Sequence, residues 1–219
     1  MDYKSPGQNR EYRERRVFDG SRRPHAASLR RQYEDAIAAE QWDDRNSRTI
    51  TFTTFPGALD ILAQLDSRKV QDPHIELLSA TATGDKEDAV LTASVYIPES
   101  QESWFLGKLD AYVETVENER PRHRKLVESI EQIRKATARL LWTDPPECFP
   151  DDGAPVWWEV WLRKDSGIEL KRLLRVVRPW GLSCPPEQSL KFGDRTVCLL
   201  QGTVKVSCKS SSVSTVLQS

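Results

Sequence analysis

The sequence predicts an α+β protein in which an N-terminal helix precedes two similar units of strands and helices. Short alternating segments rich in β-branched residues recur along the chain, and amphipathic segments with helical spacing lie between them. The order strand, helix, strand is found in both halves, which indicates a helix-backed sheet in each. We therefore expect two β-α-β-β-α-like units of ferredoxin or propeptide type. They are joined by a long helix, and the second unit is incomplete.

The first 46 residues are predicted to form a polar arm and then a helix. Residues 1–27 are rich in arginine and also carry acidic side chains, which is typical of a solvated, flexible arm. Leu29, Tyr33 and Ile37 then recur at helical spacing. We therefore expect a helix over residues 28–46.

Residues 48–119 are predicted to form the first α+β unit. The alternating segment "RTITFTTF" is typical of a strand, and Pro56 can occupy the first position of a helix after it. Two further strands, "HIELLSATA" and "AVLTASVYI", flank a polar turn and predict a hairpin. Ser100 can cap the next helix, in which Phe105 and Leu109 lie on one face.

Residues 120–146 carry the strongest helical pattern in the chain and are predicted to form the connecting helix. Leu126, Ile130 and Ile133 recur at i, i+4 and i+7, which is the spacing of one helix face. The Asp-Pro-Pro sequence at 144–146 ends the helix, because proline lacks the backbone donor and restricts the residue before it.

Residues 154–203 are predicted to form the second, incomplete α+β unit. Strands are expected at 156–163 and 195–201, where β-branched and aromatic residues cluster. A capping box of Ser166 and Glu169 marks the start of the helix between them.

Three of the seven tryptophans lie in the segment "VWWEVWLRK", which begins at residue 156. Alternate side chains of a strand share a face, and the core face of this strand has four members: Val156, Trp158, Val160 and Leu162. The opposite face carries Trp157, Trp161 and Arg163. We take these three as candidate interface residues that pack under a docked helix or domain. A small-molecule platform would need convergent polar groups, and none are visible nearby.

We identify no catalytic, cofactor-binding or metal-binding residues in the sequence. It has no G-x-S-x-G, phosphate-loop or G-x-G-x-x-G motif, and its three histidines and four cysteines show no metal-ligand spacing. The charges are balanced, with 32 basic and 33 acidic residues, which argues against a surface built to bind nucleic acid. There is no secretory signal and no apolar run long enough to span a membrane, so we expect a cytoplasmic protein with reduced thiols.

Six segments form an ordered set along the chain: "GALDILAQLDSRK", "IELLSA", "ASVYIPES", "FLGKLDAYV", "LVESIEQIRKATARLLWTD" and "VWWEVWLR". In this order they resemble the long N-terminal region of a group of bacterial subtilisin-like serine peptidases, the subtilase family. The resemblance runs over about residues 50–200, and the later strand "DRTVCLLQGT" resembles the end of the same region. Its most specific part is the succession "LLWTD", "FP" and "WWEVWLR".

The resemblance implies a non-catalytic role. In that family the region precedes the catalytic domain, whose Asp-His-Ser triad supplies the peptidase activity, and no triad motif is present in this chain. The chain is therefore expected not to be an enzyme as it stands, and to act as a propeptide-like or regulatory region. The implied partners are the subtilisin-like catalytic domain and an AAA-type ATPase, which is often encoded beside such peptidases.

The last segment departs from the family pattern. Residues 204–219 are serine-rich and lack helical periodicity where the family has a helix. We expect a frameshifted or disordered tail, in a chain truncated before the catalytic domain. Two other functions stay open: a free-standing protein-interaction adaptor, and a weak nucleic-acid binder that uses the Arg-rich arm.

Overall fold

The computed structural model describes most of the chain. The described residues are 21–39, 47–58, 61–66, 74–85, 88–115, 119–142, 144–151, 153–164, 167, 169–178, 182–203 and 215–218. The helices are α1 (Arg22–Ala39), α2 (Ser103–Glu114), α3 (Arg124–Val127), α4 (Ala138–Leu141) and α5 (Glu169–Val177). The strands are β1 (Ser47–Thr54), β2 (Glu76–Thr83), β3 (Val90–Pro98), β4 (Ile130–Lys135), β5 (Val156–Arg163), β6 (Leu190–Lys191), β7 (Arg195–Gly202) and β8 (Thr215–Gln218).

The strands form two four-stranded antiparallel sheets. Sheet A has the order β2-β3-β1-β4, and sheet B has the order β6-β7-β5-β8. The predicted α+β class is confirmed, because an N-terminal helix, two antiparallel sheets and several further helices are present. The predicted hairpin of β2 and β3 is also present, and its pairing runs from Glu76 opposite Tyr96 to Thr83 opposite Val90.

Helices α1 and α2 cover one face of sheet A. The alternation of β1 places Ile50 and Phe52 on this face, where both are fully buried. Tyr33 of α1 and Phe105 of α2 have ring centroids 5.2 Å apart. The Phe52 ring lies 5.3 Å from that of Phe105. Burial of each such side chain contributes roughly 1.5–3 kcal/mol, so this aromatic cluster holds the two helices on the sheet.

The long helix predicted over residues 120–146 is wrong. The structure divides this segment into α3, β4 and α4, and β4 pairs with β1 at the edge of sheet A. The pairing shifts register between Thr53 and Thr54, so one residue of β4 is skipped. This bulge places Ile130 and Ile133 on the same buried face at a spacing of three. A spacing of three is also that of a helix face, which explains the incorrect prediction.

The limits predicted for the N-terminal elements are shifted. α1 begins at Arg22, so residues 22–27 belong to the helix and not to the arm predicted over 1–27. The rest of that arm, residues 1–20, lies outside the described residues, and so do residues 40–46 at the end of the predicted helix.

The helix predicted after β1 is replaced, within the described residues, by a turn and a short 3₁₀ helix at Leu62–Gln64. Gly57 adopts a positive φ of 75°, a conformation that glycine reaches without steric cost. Its N–H donates to the carbonyl oxygen of Ala89 at 2.9 Å. The chain therefore turns back toward the hairpin directly after Pro56.

Helix α5 covers the inner face of sheet B and closes a second core. Leu173 and Val177 of α5 are buried together with Trp158 and Leu162 of β5. Trp142 packs against Trp158 edge to face, with ring centroids 5.9 Å apart. The capping box predicted for this helix pairs Ser166 with Glu169. Ser166 lies outside the described residues, and Glu169 is buried under sheet B.

The tail over residues 204–219 is expected to be frameshifted or disordered, and the second of these alternatives is wrong for its end. Thr215–Gln218 form β8, which pairs with β5 from Glu159 opposite Gln218 to Leu162 opposite Thr215. Residues 204–214 and 219 lie outside the described residues. A β-branched segment suits this place, because the second edge of β5 offers backbone donors and acceptors that a strand can satisfy.

Candidate interaction surface

The two faces of β5 have different surroundings. Trp158, Val160 and Leu162 lie in the core under sheet B and are at most 1% exposed. Trp157 points to the opposite side and is 46% exposed, while Trp161 on the same side is half-buried. We call this opposite side the outer face of sheet B. It contains the three residues that the sequence predicts as an interface.

The outer face carries four large apolar side chains, which we call the apolar surface: Trp161, Leu190 and Phe192 at one end, and Trp157 four residues along β5, beyond Glu159. The indole of Trp161 stacks on Phe192, with ring centroids 5.9 Å apart and an interplanar angle of 5°. The Trp161 indole N–H donates to Oε1 of Glu159 at 2.6 Å, so its polar edge is satisfied within the strand. Leu190 and Phe192 are 61% and 50% exposed, and in the described part of the chain Trp157 is the other large hydrophobic residue with high exposure.

Sequence reasoning missed Leu190 and Phe192, because no strand was predicted directly before the one at 195–201. In the structure Leu190 lies opposite Val197, and the Phe192 N–H donates to the Arg195 carbonyl oxygen at 2.8 Å. The segment "SLKFGDRTV" does contain the signal, which is alternation before and after a Gly-Asp pair, the pattern of a hairpin. The two-residue length of β6 makes that signal weak.

Arg163 lies on the same face of β5 as Trp161, but at the end of the strand, where its side chain contacts sheet A at the junction between the two sheets. Its Nε donates to Oε2 of Glu76 in β2 at 2.5 Å. Arg195 of β7 binds the other carboxylate oxygen of Glu76. The Arg163 guanidinium also lies over the ring of Tyr96, 4.5 Å from its centroid. Of the predicted interface, only Trp157 and Trp161 therefore belong to the apolar surface, and Arg163 has an internal role.

We call Glu76, Tyr96, Arg163 and Arg195 the Glu76 cluster. It consists of two cross-strand pairs that face each other, since Arg163 is opposite Arg195 in sheet B and Glu76 is opposite Tyr96 in sheet A. Two like charges directly opposite each other in a sheet repel. Here the carboxylate of Glu76, which is 4% exposed, lies between Arg163 and Arg195 and compensates the charges of both. His74 also lies near this carboxylate, with its Nε2 at 3.9 Å from Oε2 of Glu76.

The rest of the junction is polar as well. Thr49, Thr51 and Ser94 lie on the side of sheet A that faces away from α1 and α2, and all three are buried. Thr51 and Ser94 share a hydrogen bond of 3.1 Å between their hydroxyl oxygens. The Ser94 hydroxyl also lies 3.4 Å from the carbonyl oxygen of Leu140, in α4. Hydroxyl groups and the Glu76 cluster thus connect the two units.

Three further observations bear on function. Lys171, Leu174, Arg175 and Arg178 line a cavity of about 400 Å³ beside α5, and its cationic lining favours anionic groups. Among the described residues, no three or more His, Cys, Asp or Glu side chains are grouped so that they could hold a metal ion. No helix in that part of the chain has the length and apolar character needed to cross a membrane.

The chain matches no protein-family model and no curated protein. Among solved structures it is similar to one described as the crystal structure of an unknown protein from Galdieria sulphuraria. The identity is 9% and the TM-score 0.24, over 76% of this chain and 87% of that one. A TM-score this low does not establish a shared fold, so the functional argument depends on the apolar surface and the Glu76 cluster.

Proposed function

We propose that this chain is a non-catalytic protein-interaction module, namely the propeptide-like or regulatory N-terminal region of a subtilisin-like serine peptidase. Its contact site is the apolar surface, and the peptidase catalytic domain covers it. The observation that carries the proposal is the exposure of Trp157, Leu190 and Phe192 on one side of sheet B. The ordered resemblance of residues 50–200 to that region of the subtilase family supports the choice of partner.

The chemistry of the apolar surface fits a protein partner. Exposed groups of large apolar side chains mark interaction sites, and tryptophan is among the residues enriched at the energetic centres of interfaces. Trp161 is already stacked on Phe192, so this pair loses little side-chain freedom when a partner covers it. Each Å² of apolar surface removed from water contributes about 25 cal/mol before the costs of association are subtracted.

The Glu76 cluster supports the same proposal by fixing sheet B against sheet A. Arg163 and Arg195 extend from β5 and β7, the two strands that also carry Trp157, Trp161 and Val197. A surface that is rigid before binding pays less entropy when the complex forms. The apolar surface therefore depends on both units of the chain.

On this proposal the chain performs no chemistry of its own. The carboxylate of Glu159, which lies beside the apolar surface, accepts the indole N–H of Trp161. Arg163 and Arg195 are engaged with Glu76. The chain acts in the cytoplasm together with the peptidase, and an AAA-type ATPase is its second partner. Both of these statements follow from the resemblance to the subtilase family.

The proposal is tested by titrating the full chain with a purified subtilisin-like catalytic domain from the same organism in a calorimeter. Phe192→Ser and Trp157→Ser are each expected to weaken binding by about tenfold or more, the effect of removing an interface hot spot. Lys191→Ser is the matched control. Lys191 is an exposed residue of the same hairpin, but the alternation of β6 points its side chain to the other side of the sheet.

Two outcomes would contradict the proposal. If the wild-type chain binds and both serine variants bind equally well, the contact is made elsewhere. If the catalytic domain does not bind at all, the choice of partner is wrong. The alternative is then a free-standing adaptor that uses the same surface. It is tested by cross-linking in cell extract, where the wild-type chain, but not the Trp157→Ser/Phe192→Ser variant, should retain one defined protein.

A further inference from the structure

Helix α5 has two sides of different chemistry. Leu173 and Val177 lie on its inner side and are buried in the core under sheet B. Lys171 and Arg175 lie four residues apart on the outer side, Arg178 follows three residues later, directly after the helix, and all three are exposed. Residues at these spacings are neighbours on one face of a helix. The three cations therefore form a row along α5, which we call the basic row.

No acid of the helix offsets the charge of the basic row. Residues 170–186 contain four basic residues but neither Asp nor Glu, although the whole chain has a net charge of −1. Glu169, the first residue of α5, is 4% exposed, and its Oε1 accepts a hydrogen bond of 2.6 Å from the Thr196 hydroxyl. The one acid of α5 is therefore engaged with sheet B, away from the basic row.

The basic row does not stabilise α5 by itself. Like charges three or four residues apart on a helix repel each other and destabilise it. The negative C-terminal end of the helix dipole favours Arg175 and Arg178, but Lys171 is the third residue of α5 and lies near the positive end. An anion bound along the row removes the repulsion among all three cations.

The cavity of about 400 Å³ beside α5 lies along the basic row. It is lined by Lys171, Leu174, Arg175 and Arg178, and its volume falls in the range of small-molecule sites, roughly 300–1,000 Å³. The half-buried Leu174 and the aliphatic stems of the three basic side chains supply apolar wall, whereas the charged ends of those side chains attract an anion. The cavity therefore suits a molecule that has both an apolar portion and an anionic group.

We propose that this cavity is a binding site for a phosphate monoester that carries a small apolar group. Three cations favour a doubly charged phosphate over a singly charged carboxylate, and guanidinium groups bind phosphate oxygens in pairs. The phosphate can belong to a soluble molecule or to a lipid headgroup, because the chemistry that recognises it is the same. The site does not depend on the proposed peptidase partner, since α5 covers the inner side of sheet B and the apolar surface lies on the outer side.

The test titrates the full chain with phenyl phosphate in a calorimeter at low ionic strength, where charge screening is weak. Phenyl phosphate is expected to bind at least about fivefold more tightly than inorganic phosphate, because its ring contacts Leu174. It is also expected to bind more tightly than benzoate, which carries a single charge. Sedimentation with phosphatidylcholine vesicles, with and without phosphatidic acid, tests the lipid source of the phosphate.

Lys171→Gln/Arg178→Gln is expected to weaken the binding of phenyl phosphate by about tenfold, since two cations of the basic row are lost. Arg23→Gln/Arg31→Gln is the matched control, because it removes the same charge from exposed positions of α1 and should leave binding unchanged. Leu174→Ala should weaken the binding of phenyl phosphate by about fivefold and leave that of inorganic phosphate unchanged.

Two results support the proposal, provided that Lys171→Gln/Arg178→Gln weakens them. Binding of phenyl phosphate in solution identifies a soluble ligand, and binding only to vesicles with phosphatidic acid identifies a lipid. The proposal is overturned if the wild-type chain binds neither probe, or if inorganic phosphate or benzoate binds as tightly as phenyl phosphate. These results come from the wild-type chain, so they hold even if a variant fails to fold. Equal binding by the folded double variant and the wild-type chain also overturns it.

Discussion

At the scale of single residues, Glu76 is the side chain on which the junction between the sheets depends most. It is 4% exposed, and Arg163 and Arg195 each bind one of its two oxygens. Burial of a carboxylate costs several kcal/mol, and the guanidinium groups offset this cost only while the geometry is kept. The same carboxylate separates the charges of two arginines that lie directly opposite each other. Its removal therefore leaves two largely buried cations opposite each other without the carboxylate that binds both.

We expect Glu76→Gln to lower the free energy of unfolding by about 3 kcal/mol. Glutamine keeps the shape of the side chain but carries no charge, so Arg163 and Arg195 would repel each other at the junction. Urea unfolding followed by tryptophan fluorescence measures the change.

Glu131→Gln is the control for this substitution, because Glu131 is an exposed acid in sheet A and its replacement should change stability by no more than about 0.5 kcal/mol. Adding Arg195→Met to Glu76→Gln should recover part of the loss, since it removes one of the two opposed charges. Equal losses for Glu76→Gln and Glu131→Gln would show that the ion cluster contributes little.

At the scale of elements, α1 covers the free edge of β4, one of the two edge strands of sheet A. The outer edge of β4 would leave backbone donors without a strand partner. Gln32 of α1 accepts the N–H of Ile133 at its Oε1, at 2.8 Å, and its Nε2 donates to the Ser28 hydroxyl at 3.2 Å. His25 of the same helix lies 3.0 Å, through Nε2, from the carbonyl oxygen of Val127. α1 thus holds both the edge strand and the turn before it.

Gln32→Met is expected to lower the free energy of unfolding by about 1–2 kcal/mol, because methionine keeps the length but cannot accept the Ile133 N–H. The amide of Ile133 should also exchange with deuterium faster. Arg31→Met is the control, since Arg31 is an exposed residue of the same helix and should change neither quantity. Unchanged exchange at Ile133 in the Gln32 variant would mean that the edge is protected in another way.

At the scale of the whole molecule, two separate apolar cores are joined through a polar junction. α1 and α2 pack on one face of sheet A and α5 packs on one face of sheet B, and among the described residues the two cores share no member. The junction contains the Glu76 cluster, the hydroxyl groups of Thr51 and Ser94, and α4. Polar contacts of this kind specify one arrangement but require every group to keep its partner. β8 adds to the junction, because it contacts α4 and β2 while it pairs with β5.

A chain that ends at residue 203 should associate with itself more strongly than the full chain at equal concentration. It lacks β8, so one edge of β5 loses its partner strand, and an unpaired edge can add a strand from another molecule. Static light scattering over a concentration series measures the effect. A chain that lacks only Ser219 is the control, because Ser219 lies beyond β8. If the shorter chain scatters no more than the full chain, β8 does not protect this edge.

Elements could be predicted from the sequence where a pattern of consecutive residues alone determines them. The alternation in β1 and the hairpin of β2 and β3 follow from β-branched residues around a polar turn, and both are present. β4 could not be predicted, because its bulge gives Ile130 and Ile133 the spacing of a helix. Of the candidate interface, Trp157 and Trp161 are on the outer face of sheet B. The other half of the apolar surface, Leu190 and Phe192, lies on a strand too short for its pattern to be recognised.

The sequence by itself determined the α+β class and the two unlike faces of β5, because both depend on side-chain alternation over a few consecutive residues. Only the tertiary structure decided that β4 is a strand and that Arg163 is internal. β4 is a strand because β1 offers it an edge to pair with. Arg163 is covered by the junction because Glu76, 87 positions earlier in the chain, binds it from sheet A. The physical reason is the same in both cases: a backbone edge or a buried charge is satisfied by a partner that is distant in sequence.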